Sequence, residues 1–243
     1  MTASLVRRLL AELLGTALLV TAVVGSGIAA ARLSPGDVGL QLFENSFATA
    51  LALGVLILLF GPASGAHFNP VVTTADWWLR RRDAGSRASE AGAYVVAQLV
   101  GGIGGAVLAN VMYGLPAVSW SHTDRSAAHL WLGEVVATAG LILLIFSLVR
   151  TGRTAVTPLA VGAYIGAAYW FTSSTSFANP AVTIGRTFSD TFAGIAPGSV
   201  LGFIAAQAIG GVIGVAVLAI VYPRAAESLT SQPVEFVETG ARS

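Results

Sequence analysis

Six apolar stretches and two Asn-Pro breaks between them predict an all-α membrane protein. The architecture expected is six transmembrane helices plus two re-entrant half-helices, arranged as an inverted 3+3 repeat. Three observations carry this reading. Of the 243 residues, 55% are hydrophobic and 10% charged, too few charges to cover a soluble domain of this length. The apolar residues fall into runs long enough to cross ~30 Å of hydrocarbon at ~1.5 Å per residue, given some tilt or short flanks. The second half of the chain repeats the first.

The runs follow in order. Leu9 to Ala31 carries one charge, Glu12, and lacks the small-residue cleavage site of a signal peptide, so it is a retained helix. Leu51 to Phe60 extends a run that begins near Gln41, and Ala91 to Tyr113 carries no charge. Leu130 to Val149 carries Glu134 alone, while Ala155–Phe171 and Val200–Tyr222 are uncharged. The repeat pairs Glu12 with Glu134, Asn69-Pro70 with Asn179-Pro180, and Gln98 with Gln207, at offsets of 122, 110 and 109 residues. Each half, about 1–113 and 128–222, holds three spans. An odd number of spans forces the halves to lie inverted, with the pathway or binding site at their interface. Residues 114–127 form an outer loop, 1–222 make a single transmembrane domain, and 223–243 form a short polar cytoplasmic tail, expected to be disordered.

Residues 61–80 and 172–190 are the interrupted segments. Each reaches Asn-Pro and continues with enough residues for two or three helical turns. Proline at the first helical position behind an Asn cap starts a helix. Each segment therefore reads as a loop entering the membrane and a half-helix after it. Irregular backbone at that depth survives only where it is buried in protein or lines a wet cavity.

All thirteen basic residues are arginine. With six spans, ten of them fall on the side of the termini, and Arg32, Arg125 and Arg186 on the other. That bias puts both termini in the cytoplasm. The net charge of +1 gives no nucleic-acid footprint. The lack of cysteine excludes disulfides and thiolate metal sites. No nucleotide loop, nucleophile–base pair or metal cluster is visible, so no enzyme, cofactor or metal is expected.

"HFNPVV" and "FANPAV", in inverted halves that each carry a Glu in the first helix, resemble the aquaporin and aquaglyceroporin (major intrinsic protein) family over residues 5–222. The resemblance implies a passive transmembrane channel for small neutral solutes, in a bacterial plasma membrane, assembled as a homotetramer among lipid. Asn69, Pro70, Val71, Asn179, Pro180 and Ala181 then lie at the pore midplane. Two half-helix N-termini meeting there carry unpaired N–H groups and partial positive charge, which welcome an accepting oxygen and repel cations. Glu12 and Glu134 are too costly to face lipid. They are either a proton relay or, as the resemblance favours, acceptors for the backbone N–H groups of the two loops. Gln98 and Gln207 read as interhelical hydrogen-bonding groups, and His67 as either a gate or a packing residue at the pore mouth. The GxxxG spacings at Gly101–Gly105 and Gly210–Gly214 allow close helix crossing. Trp77-Trp78 ahead of Arg80–Arg82 reads as an interfacial anchor.

One position departs from the family. An Arg that usually follows the second Asn-Pro-Ala is Val182 here. Counting from the motifs places Thr49, Ala167 and Ser176 beside Val182 in the selectivity filter, a wide and uncharged ring. Arg186, four residues on, either leans into the vestibule or, as favoured, snorkels to headgroups or pairs with Asp190. Such a filter suits compact polyols, water and neutral metalloid hydroxides such as arsenite. The run "NPAVTIGRTFSDTFAGIAP" is similar to a bacterial subgroup associated with arsenic resistance. The competing readings are a non-conducting junction or sensor protein, and a proton-coupled carrier using Glu12 and Glu134.

Overall fold

The computed structural model describes residues 4–81 and 87–223. Arg82 and the tail from 224 onward lie outside the described residues. Every regular element among the described residues is helical: α1 (Leu5–Leu33), α2 (Val38–Ser64), α3 (Pro70–Arg80), α4 (Ala88–Met112), α5 (Ala128–Arg150), α6 (Thr157–Phe171), α7 (Pro180–Gly185) and α8 (Val200–Val221). The second four repeat the first four, with the short helices α3 and α7 third in each half.

Five helices, α1, α2, α4, α5 and α8, are long and apolar enough to cross a membrane. The sixth expected span is shorter. Helix α6 has 15 residues, ~22 Å at the helical rise. A 3-10 turn at Thr154–Val156 precedes it, and Thr172, whose hydroxyl bonds the Ala168 carbonyl, follows its last turn. The half-helices also differ from the expected pair. Helix α3 makes three turns, whereas α7 holds six residues before tightening into a 3-10 turn at Arg186–Phe188.

Small residues set the helix spacing. Gly101 and Gly105 of α4 sit against the Leu13 and Ala17 carbonyls of α1, and a Cβ at either position would collide with that backbone. Gly210 and Gly214 of α8 repeat the contact on α5, where a Cβ would come within 2.5 and 2.6 Å of the Val135 and Ala139 oxygens. The two partner sites are again 122 residues apart, so the inverted repeat extends to backbone contacts.

The ends of the helices define two faces. The near face carries the start of α1 and the end of α8, where Arg150 bonds the Leu218 carbonyl. The far face carries the segments 34–37, 114–127 and 189–199. There Ser119 and Ser121 donate to the Phe188 and Thr187 carbonyls, and Ala196 donates to Thr123. The loop 114–127 is thereby folded over the end of α7.

Candidate functional site

The loops ahead of α3 and α7 are built alike. Ala66 and Phe68 adopt φ of 51° and 49°, and Ser176 and Ala178 adopt 50° and 47°. Non-glycine residues in this left-handed region persist only where the surroundings over-determine them. Two buried carboxylates do so here. Glu12 accepts from the His67 and Phe68 N–H groups at 3.0 and 2.7 Å, from Ser64 Oγ, and from the Gln98 amide. Glu134 accepts from the Phe177 and Ala178 N–H groups at 2.9 and 2.8 Å and from the Gln207 amide at 2.6 Å. Each Gln then reaches a Thr on its half-helix, Thr73 or Thr183. Glu12 thus accepts four hydrogen bonds and Glu134 three, and each carboxylate ties its loop to the first helix of its half.

Asn69 and Asn179 cap their half-helices. The Asn69 Oδ1 accepts from Val71 N, and the Asn179 Oδ1 accepts from Ala181 N and Val182 N. Their amide nitrogens cross to the opposite loop. Asn69 Nδ2 donates to the Ala178 carbonyl and Asn179 Nδ2 to the Phe68 carbonyl, both at 2.7 Å. This reciprocity means that the two Asn-Pro turns meet head to head. One N–H of each amide is used in the crossing, and the other is left to serve the space beside it.

That space is a cavity of about 780 Å³ lined by both Asn residues. Stripes at four-residue spacing form its walls. Thr49, Leu53 and Ile57 come from α2, and Val161, Ile165 and Tyr169 from α6. Leu19 and Val23 of α1 face their counterparts Leu141 and Ile145 of α5 across the same space. The two loops add the polar groups His67, Asn69, Ser176 and Asn179. His67 lines the near end, where its Nδ1 lies 3.1 Å from Thr73 Oγ1 and its ring packs on Tyr94. Ser176, Phe177, Val182 and Arg186 line the far end. Pro70, Ala181 and Val71 stand behind the asparagines, where Val71 packs on α8 at Gly211. Among the described residues, no group of three His, Asp or Glu side chains could hold a metal ion.

A family model described as major intrinsic protein matches residues 1–176. The chain is 48% identical over 217 residues to an aquaglyceroporin, AqpS, of Rhizobium meliloti, covering 88% of this chain and 89% of that one. The chain belongs to the major intrinsic protein family. It is a multi-pass membrane protein of a channel family and not an enzyme. It is also 32% identical to a glycerol uptake facilitator protein of Pseudomonas aeruginosa, over 81% of this chain and 78% of the relative. The aquaglyceroporin from Plasmodium falciparum has the same fold, with a TM-score of 0.68 at 21% identity, over 90% of this chain and 98% of that one.

The family model stops short of Asn179, so the far-end geometry is read from this chain itself. Thr49, Ser176 and Val182 meet there, each 5% exposed or less. Ala167 does not join them. It is exposed on the outer face of α6, and Tyr169 takes the place expected for it, its hydroxyl 3.3 Å from Thr49 Oγ1. Two residues along a helix rotate a side chain by ~200°. Counting back from Asn179 assumed a register that the loop 172–179 does not keep. The spacing Val161–Ile165–Tyr169 was the signal that would have found the correct face.

Arg186 also departs from the favoured expectation. It neither snorkels nor pairs with Asp190, whose carboxylate is bound by the His122 N–H and ring, each at 3.0 Å. Arg186 is 2% exposed and closes the far end of the cavity. Its Nε donates to the Ala193 carbonyl, and its guanidinium carbon sits 3.4 Å above the Phe177 ring. Thr49, Ser176 and Val182 are uncharged, but a cation lies one turn beyond Val182. Phe177 and Arg125 were missed as site residues. Arg125 half-buries against the other end of this cluster, with Nε on the Gly194 carbonyl at 3.0 Å and its guanidinium carbon 5.1 Å from the Phe177 ring.

Proposed function

We propose that this protein is a passive channel for small neutral polar solutes, conducting polyols such as glycerol and compact metalloid hydroxides such as arsenite, with water. The observation that carries this reading is the cavity itself. It passes two asparagine amides at the head-to-head half-helices and reaches a ring of Thr49, Tyr169, Ser176 and Val182. Hydroxyls and amides along the cavity replace part of a solute's hydration, while the Leu, Ile and Val groups of the stripes shed water without binding it. A triol fits that two-sided lining, since it carries acceptors and donors on one edge and little charge elsewhere. Val182 leaves the ring wider than an arginine would.

The two half-helix N-termini oppose cations at the crossing point. With Glu12 and Glu134 engaged by backbone N–H groups, the geometry favours a pore over a proton-coupled carrier. The protein works as a homotetramer in a bacterial plasma membrane, with both termini and the near face in the cytoplasm.

Stopped-flow swelling of proteoliposomes tests the solute class. Glycerol, urea and arsenous acid should each enter at least several-fold faster than into empty liposomes. Rates equal to empty liposomes for all three would remove the proposal.

A further inference from the structure

We propose that Arg125 and Arg186 form a docking site for a small monovalent oxoanion at the far end of the cavity, and that its occupancy obstructs the passage of neutral solutes. The obstruction rests on the channel reading above, whereas the docking does not.

The two guanidinium groups are both held near the Phe177 ring. Their Nε atoms bond the consecutive carbonyls of Ala193 and Gly194. Their central carbons lie 5.1 and 3.4 Å from the Phe177 ring centre, so they are at most about 8.5 Å apart. No carboxylate comes within 4.0 Å of either one among the described residues. The acidic groups nearby are already engaged. Asp124, although adjacent in sequence, accepts from Ser126 and Ser199. Asp190 is bound by His122. Glu134 acts on both guanidiniums at a distance, but its oxygens hold the Phe177 and Ala178 N–H groups and Gln207.

Two buried or half-buried cations therefore lie close together with no direct ion pair among the described residues, Glu134 acting on both only from a distance. Each guanidinium has five N–H donors, of which the Nε–H alone is bonded among the described residues. Arg186 lines the cavity end, and Arg125 comes from the loop 114–127 that folds over it. An oxoanion of three or four oxygens spans a gap of this size with charge-assisted bonds of ~2.8 Å to both forks. It also relieves the mutual repulsion of the two cations, which a neutral solute cannot do. The neighbouring Phe177 face holds the guanidinium planes in place while leaving their edges free. An anion seated there stands directly beyond the ring of Thr49, Ser176 and Val182, on the route a neutral solute must take.

Methanesulfonate, ionised at every working pH, is a suitable probe, and dimethyl sulfone is its neutral near-isostere. Equilibrium dialysis of the detergent-purified full-length protein with labelled methanesulfonate should show saturable binding of one anion per chain. In proteoliposomes, sodium methanesulfonate should slow glycerol entry at least threefold relative to sodium chloride at equal ionic strength, and dimethyl sulfone should not. Arg125→Gln should weaken binding at least tenfold and bring the ratio of the two glycerol rates to one. Arg125→Lys, which keeps the charge without the fork, should bind at intermediate strength. Absence of saturable binding to the unaltered protein, or equal binding to Arg125→Gln, would overturn the site. Binding without any slowing of a measurable glycerol flux would overturn the obstruction. Binding that persists in a protein conducting no glycerol at all would support the site and sink the channel reading.

Discussion

Val182 and Arg186 lie four residues apart and both line the far end of the cavity. Val182 keeps the ring beside Thr49 and Ser176 uncharged, while Arg186 places its cation one turn outward against Phe177. Val182→Arg should therefore narrow the ring and set a second cation beside the first. Glycerol flux should fall at least fivefold and water flux by less, as read by stopped-flow scattering; equal losses would mean that Val182 is not at the constriction. Glu134 gives a second test at this scale. Glu134→Ala leaves two backbone N–H groups and one Gln207 N–H without an acceptor, at a cost of ~1–3 kcal/mol for each buried orphan. The thermal unfolding midpoint in detergent should drop sharply, and Glu134→Gln, which restores a single acceptor oxygen, should fall between. A stable Glu134→Ala protein that has lost only proton coupling would instead identify a relay. Asp190 supplies a pH effect outside the spans. The His122 N–H, followed by the His122 ring, holds its carboxyl below the ordinary carboxylate range. A depressed folded-state value means that the tie is present above the unfolded-chain pKa of ~3.9 and lost as pH falls through the folded one. A fluorine label on Trp120, whose ring lies tilted 4.7 Å from Phe188 beside this tie, should report a transition below about pH 4 that Asp190→Asn lacks. The glutamates and asparagines were legible because each occurs twice in the same setting. Arg125 was not, because its place depends on how the loop 114–127 folds over Gly194, which no local pattern encodes.

The half-helices and the close crossings are properties of elements. Proline behind asparagine predicted where α3 and α7 begin, and both start at that proline. Their lengths were less visible. Helix α7 tightens after six residues because tertiary bonds draw the following chain aside, the Arg186 side chain to Ala193 and the Ser189 hydroxyl to Asn110. Helix α6 is short for a comparable reason: its hydroxyl-rich continuation, Thr172 to Ser176, bonds locally and to Gly133's neighbourhood in α5 through the His129 carbonyl. A hydropathy run cannot register either effect. The GxxxG crossings were legible as small residues, and the structure adds that they meet backbone carbonyls. Gly214→Val should consequently force α8 away from Ala139 and Ile142, with an overpacking cost of ~1–3 kcal/mol. Thermal stability in detergent should fall by a margin that Gly104→Val, where a Cβ would meet nothing within 4 Å, does not show.

At the scale of the whole molecule, the inverted repeat explains why a chain this apolar contains two strained loops. One half alone would bury Glu12, Asn69 and Gln98 with no partner for the Asn69 amide; the other half supplies the Ala178 carbonyl, and receives the Asn179 amide on Phe68 in return. Stability and pathway then come from the same contact, since the crossing amides that join the halves also line the cavity. The paired motifs made this legible from the sequence. The far end was only partly legible, because it is built where the repeat breaks down: α6 has no equal in length among the other spans, and the loop 114–127 belongs to neither half. The central claim is that solutes cross this molecule passively. Glycerol entry into proteoliposomes, followed by stopped-flow scattering across a range of temperatures and with an imposed pH gradient, tests it most directly. The account predicts fast entry with a weak temperature dependence, linear in glycerol concentration and indifferent to the gradient. Entry that saturates and follows the pH gradient would contradict it.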